Sequence, residues 1–200
     1  MFTIHATQIK SHALQSPKNL ADIITMVSLS IQQPWSKVGE QMKDVKANGI
    51  NSKFLWGNKR KTYAYVSQNI GFIYGQYRAV LSSYKSDDDK ALELMLIFMN
   101  IPGLGAVKAG FVCQLSAGLV GCIDLHNIRL YGIDERKLDI STKIKSRELL
   151  RSKVKNYISI CHNIGTEKLW DTWCNHLANQ KNCFESGMDV SQAHVDYLFV

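Results

Sequence analysis

From Leu20 onward the apolar residues return at intervals of three and four, so that Leu20, Ile23, Ile24, Val27 and Ile31 fall on one helical face. That helix must end before Pro34, and Ser16 or Asn19 offers a cap at its start, with Pro17 nearby. The spacing predicts a shorter helix over about 35–46, stopped by Asn48 and Gly49. Over 59–84 it predicts a long helix carrying Tyr63, Val66, Ile70, Ile73, Tyr74, Tyr77 and Leu81, which Gly71 and Gly75 could kink. Asp87, Asp88 and Asp89 precede the segment KALELMLIFMN, which is apolar nearly all round and therefore predicted to be buried. Acids in a first turn favour a helix start through its dipole, so the acidic run reads as a helix start rather than a metal site.

Toward the C-terminus, SRELLRSKVKNYISICHNI places Leu150, Val154, Tyr157, Ile158 and Cys161 on one stripe, with Arg151 and Lys155 on its flank. GTEKLWDTWCNHLANQ predicts a further helix and DVSQAHVDYLF a last short one. Strand signals are scarce, and there is no internal repeat or low-complexity tract. The predicted fold class is all-α.

Composition adds two constraints. With 200 residues, 46% of them hydrophobic, and three prolines, the chain can bury a core as one domain or two closely packed lobes. A formal charge of +7 and a pI near 9.1 favour a polyanionic partner. The charge is clustered. Seven Lys or Arg face two acids over 37–61, and eight face two over 136–155, as two phosphate-neutralising patches or two solvated faces would require. Five scattered cysteines without a C-x-x-C pair read as reduced thiols and speak against a zinc site or an iron–sulfur cluster. No leader pattern opens the chain, and no apolar run approaches the roughly 18 residues that span a bilayer. The expectation is a soluble, cytoplasmic protein with no membrane partner.

The chemistry-bearing stretch is IPGLGAVKAGFVCQLSAGLVGCIDLHNIRLYG, over 101–132. A buried helix, a turn with Gly103 and Gly105, and a new helix at Ala106 leave backbone N–H groups beside a helix N-terminus, where an anion is favoured. Both glycines are expected to allow positive φ and close backbone approach, with Leu104 plugging back into the core and small Ala109 where the helices cross. This pattern of apolar-Pro-Gly-apolar-Gly-x-x-x-Ala resembles the helix-hairpin-helix DNA-binding motif.

The likeness extends to the helix-hairpin-helix DNA glycosylases, in particular the endonuclease III branch. There the hairpin is followed by an apolar-Asp-Thr-His segment and an Arg; here CIDLHNIR supplies Asp124, His126 and Arg129. The branch also carries a Leu-Ser-x-Gln stretch near its N-terminus; here SLSIQQPW supplies Leu29, Ser30 and Gln32. The resemblance implies one glycosylase-like unit over 1–200, with a helical core at 18–132, the hairpin at 88–117, and a second helical lobe from 133–200 plus the N-terminus. It implies double-stranded DNA as partner, a DNA-associated location, a monomer and no cofactor.

What it implies for residues is specific. Asp124 would be the catalytic carboxylate that stabilises positive charge on the sugar or orients water, while a helix N-cap is its alternative or additional role. Gln32 would enter the duplex where the nucleotide leaves it. Gly103, Leu104, Gly105, Lys108 and Arg129 would contact DNA, with Lys108 and His126 as catalytic support. Two departures qualify this. Bifunctional members place a Schiff-base Lys two residues after the second hairpin glycine, which is Val107 here; Lys108 lies about 100° further round the helix, as a phosphate contact or solvated side chain. The cluster cysteines of the branch are missing. The implied function is a monofunctional DNA glycosylase acting on a flipped, damaged or modified base. Its alternatives are an inactive helix-hairpin-helix DNA-binding protein, or processing of a deliberately modified base on the same scaffold. Trp35, Trp56, Trp170 and Trp173 are read as core rather than as pocket residues.

Overall fold

The computed structural model describes residues 2–31, 33–141, 144–178 and 190–199, and no strand occurs among them. The fold is all-α. Its helices are α1 (Phe2–Gln15), α2 (Pro17–Leu29), α3 (Val38–Asn48), α4 (Gly57–Leu81), α5 (Asp87–Met99), α6 (Ala106–Ala117), α7 (Leu125–Tyr131), α8 (Arg147–Ile164), α9 (Thr166–Ala178) and α10 (Val190–Phe199). Short polar side chains set four of the starts. Ser16, Ser86, Asp124 and Ser146 each accept a hydrogen bond from the backbone N–H three residues on, opening α2, α5, α7 and α8. The acidic run of 87–89 forms the first turn of α5, as its dipole logic requires.

Three elements differ from the periodicity reading. α1 has no strong apolar stripe in sequence, yet it forms, burying Ile9, His12 and Ala13. The helix read over 35–46 begins as a 3₁₀ turn at Trp35–Lys37 before α3. α4 runs unbroken through Gly71 and Gly75 and ends at Leu81. Both glycines are exposed, so the cost is the intrinsic helix propensity, about 1 kcal/mol each, which a 25-residue helix tolerates.

α2 lies at the centre, packed on α4, α6, α1 and α3. Every side chain from Ile23 to Leu29 is buried, and each large apolar one contributes about 1.5–3 kcal/mol. α5 and α6 form the hairpin, α8 covers α5, and α9 closes against α8, α1, α7 and α10.

The non-helical segment between α6 and α7 carries the site and is held by side chains rather than by secondary structure. The Tyr157 hydroxyl donates to Gly121 O (3.0 Å) and accepts from Ile123 N (2.9 Å). Gln114 Oε1 accepts from Cys122 N, and Asn127 Nδ2 donates to Cys122 O. Gly110 allows this close approach: a Cβ there would lie 2.8 Å from Gly121 O and 2.7 Å from the Tyr157 hydroxyl.

Candidate nucleic-acid interface and cleft

The hairpin turn follows α5. Ile101 and Leu104 are buried, and Leu104 N donates to Ile101 O (3.1 Å). The expectation that Leu104 fills the core is met, which corrects its place among the DNA contacts: neither its side chain nor its N–H is left for a ligand. Gly103 has φ +89°, and a Cβ on it would lie 2.5 Å from Thr62 Oγ1 and 3.0 Å from Asn58 O. The Thr62 hydroxyl itself sits 2.7 Å from Pro102 O and 2.9 Å from Asn58 O, tying the first turns of α4 to the hairpin. Gly105 corrects the sequence expectation of positive φ. Its φ of −83° and ψ of 177° are extended backbone open to any residue. A Cβ at 105 would meet no atom within 4 Å, and no side-chain hydrogen bond caps the first-turn N–H groups of α6.

Four stretches distant in sequence meet in a cleft of about 260 Å³. The turn after α2 contributes Ser30, Pro34 and Trp35; α6 contributes Lys108; the start of α7 contributes Asp124 and His126; α9 contributes Trp173 and His176. Lys108 Nζ donates to Ser30 Oγ (3.2 Å), whose proton goes to Val27 O (2.8 Å), and the ammonium lies 5.7 Å from the Phe111 ring centre. Lys108, read from sequence as a phosphate contact or solvated side chain, is thus half-buried and hydrogen-bonded in the cleft wall. Val107 packs on the core, and position 108 is the one that lines the cleft.

Asp124 caps α7 through Oδ1, which accepts from Asn127 N (2.9 Å); among the described residues Oδ2 makes no hydrogen bond. His126 stacks on His176 with centroids 3.6 Å apart and planes 19° from parallel. Burial, and then His176, hold the His126 imidazole below its ordinary pKa, against the opposing pull of Asp124. The buried Cys122 thiol beside them is pushed up to about 12, chiefly by desolvation, so it stays protonated.

No family model, curated protein or solved structure matches the chain. No helix among the described residues is long and apolar enough to cross a membrane.

Other sequence-predicted residues are divided by the fold. Arg129 is exposed in the last turn of α7 and does not line the cleft. Gln32 lies outside the described residues. Trp35 and Trp170 are buried in the core, as read, and Trp173 packs half-buried against it; Trp35 and Trp173, edge to face at 5.3 Å, also line the cleft, whereas exposed Trp56 departs from the core reading. Trp56 is 53% exposed, with Lys59 Nζ 5.2 Å from its ring centre. His176 carried no sequence signal beyond sharing a helix face with Trp173 three residues earlier.

The basic patches are smaller than the residue count implies. Lys59 is buried with Nζ on Leu29 O (2.9 Å), its pKa lowered by burial and then by Lys108. Arg151 pairs with Glu93 (3.0 Å), and Arg136 with Asp134 (2.9 Å). Lys37, Lys43, Lys53, Arg60 and Lys61 are exposed.

Proposed function

We propose that this chain binds double-stranded DNA at the Gly103–Gly105 turn and hydrolyses the N-glycosidic bond of a damaged or modified base flipped into the cleft. The observation that carries this reading is the convergence of Ser30, Lys108, Asp124 and His126, from the three stretches that resemble glycosylase signatures, on one cleft. A backbone phosphate would sit on the first-turn N–H groups of α6. The flipped base would lie against Trp35 and Trp173, in a space below the roughly 300–1,000 Å³ of drug-sized pockets. As the bond from the sugar C1′ to the base nitrogen breaks, its electron pair leaves with the base and positive charge develops on the sugar. The Asp124 carboxylate stabilises that charge and orients a water whose oxygen bonds C1′, while the proton released passes to the departing base.

The place of Lys108 favours a second reading of the same site, in which its neutral amine rather than water bonds C1′ as the base leaves with the bond's electron pair. Opening of the C1′–O4′ bond, with the amine's protons passing to the base and to O4′, then gives a Schiff base. The two are separated by offering duplexes with uracil, hydroxymethyluracil, oxidised or alkylated bases, assaying free base by mass spectrometry, and adding borohydride. Hydrolysis leaves an intact abasic site and no trapped adduct. A trapped adduct that disappears in Lys108→Ala establishes the amine route. Release of none of these bases, with duplex binding intact, leaves a binding protein without the chemistry, and loss of duplex binding removes the DNA reading.

A further inference from the structure

The hydrolysis above makes no use of the stacked imidazoles of His126 and His176. They come from α7 and α9, line the cleft with Asp124 and Lys108, and lie nearly parallel at 3.6 Å. Among the described residues the His126 ring makes no hydrogen bond. Two imidazolium ions would repel strongly at this separation, whereas a neutral ring stacks well on a charged one, so the pair accommodates one proton. Among the described residues the ionisable groups around it are few. Asp124 favours the charged form; Lys108 lines the same cleft; the Cys122 thiol stays protonated. Arg129 is exposed further along α7, and on α9 Lys168 turns to the Tyr131 ring at 5.6 Å while Asp171 lies more than a turn before His176.

We propose that the His126–His176 pair is a binding site for a phosphodiester of the DNA backbone, and that it takes up one proton as that phosphate docks. The inference rests on the DNA-binding reading of the hairpin. A nucleotide whose sugar lies beside Asp124 brings its flanking phosphates to the walls of the same cleft, and phosphate is the group of a nucleotide that stabilises an imidazolium. In the free protein burial and His176 both disfavour the charged form of His126. The complex therefore binds more protons than its separated parts, and by linkage affinity rises as pH falls until the free pair is itself protonated. Lys and Arg contacts stay charged across this range and add no slope.

The test is calorimetric binding of a short duplex carrying a tetrahydrofuran abasic analogue, at about pH 6.5 and about pH 8, in two buffers of different ionisation enthalpy. Expected is uptake of up to one proton at the lower pH and almost none at the higher, with affinity roughly 3–10-fold tighter at the lower. His126→Gln and His176→Gln should each abolish the uptake and the pH dependence of affinity. The proton resonances of the His126 ring, followed in the wild type with and without duplex, should titrate at higher pH in the complex, a readout independent of how the variants fold. Binding with no proton uptake, or uptake that persists in both variants, overturns the inference and leaves the DNA reading standing. No binding at either pH in low salt removes both.

Discussion

A methyl group at position 103 would lie 2.5 Å from Thr62 Oγ1, on a backbone whose φ of +89° side chains rarely adopt. Gly103→Ala should therefore cost about 1–3 kcal/mol, read as a drop in the thermal unfolding midpoint. Gly105 is the opposite case, with extended backbone and open space where its side chain would go. Gly105→Val should leave stability within about 0.5 kcal/mol of wild type and weaken duplex binding for all sequences alike, because its methyl groups would fill the phosphate seat. Unchanged affinity in that variant would mean no phosphate sits there. Asp124 is the residue whose two roles can be pulled apart. Asn caps a helix as well as Asp does, so Asp124→Asn should keep its stability while Asp124→Ala loses about 1 kcal/mol. If the carboxylate also stabilises charge on the sugar, Asp124→Asn slows single-turnover base release by roughly 10²-fold or more while binding survives. Release at the wild-type rate would leave the cap as its only role.

At the scale of the element, α1 is held to α2 by a titratable contact. Asn19 Nδ2 donates to His12 O (3.0 Å) and lies 3.2 Å from His12 Nδ1, which must be unprotonated to accept. Burial lowers the His12 pKa from its ordinary 6.5; Asp22 opposes the shift, and Lys46 and Lys18 add to it. With the folded value below the unfolded one, the unfolded chain binds more protons in that window. The contribution to stability is present in full above about pH 6.5 and is lost as pH falls through the folded value. Thermal unfolding followed from about pH 8 to pH 5 should show the midpoint falling on the acid side. His12→Gln, which can accept from Asn19 without titrating, should reduce that slope; an unchanged slope would place the titration elsewhere, with His126 the other imidazole shifted the same way among the described residues.

For the whole molecule, the +7 charge matters through the cations that remain exposed. The logarithm of the duplex association constant should fall linearly with the logarithm of salt concentration, with a slope of about −0.9 per phosphate neutralised. Arg60→Ala and Lys61→Ala, just before the Thr62 that ties α4 to the hairpin, should each reduce the slope by about one unit in fluorescence anisotropy titrations. Arg151→Ala should leave the slope alone and lower stability instead. Its guanidinium is engaged by Glu93 across the α5–α8 contact and holds that carboxyl below the usual range.

What the sequence determined by itself was local. Apolar spacing, Ser and Asp caps and the acidic first turn were enough to place the later helices and the hairpin, because each depends on residues within a turn or two of one another. α1 escaped because its helicity comes from docking onto α2 and α6 rather than from a stripe of its own. The roles of the two hairpin glycines were legible only in part, since φ at 105 is set by how the turn leaves Leu104 in the core. The tertiary structure alone decided which face of α6 lines the cleft, exchanging Val107 for Lys108. It also brought α9 against α7, so that Trp35, Trp173 and His176 join Asp124 and His126. It withdrew Lys59 from the basic surface by burial and engaged Arg151 with Glu93 of α5. The physical reason is common to all three: a side chain's exposure and partners depend on elements far away in the chain, and no periodicity within one element encodes them.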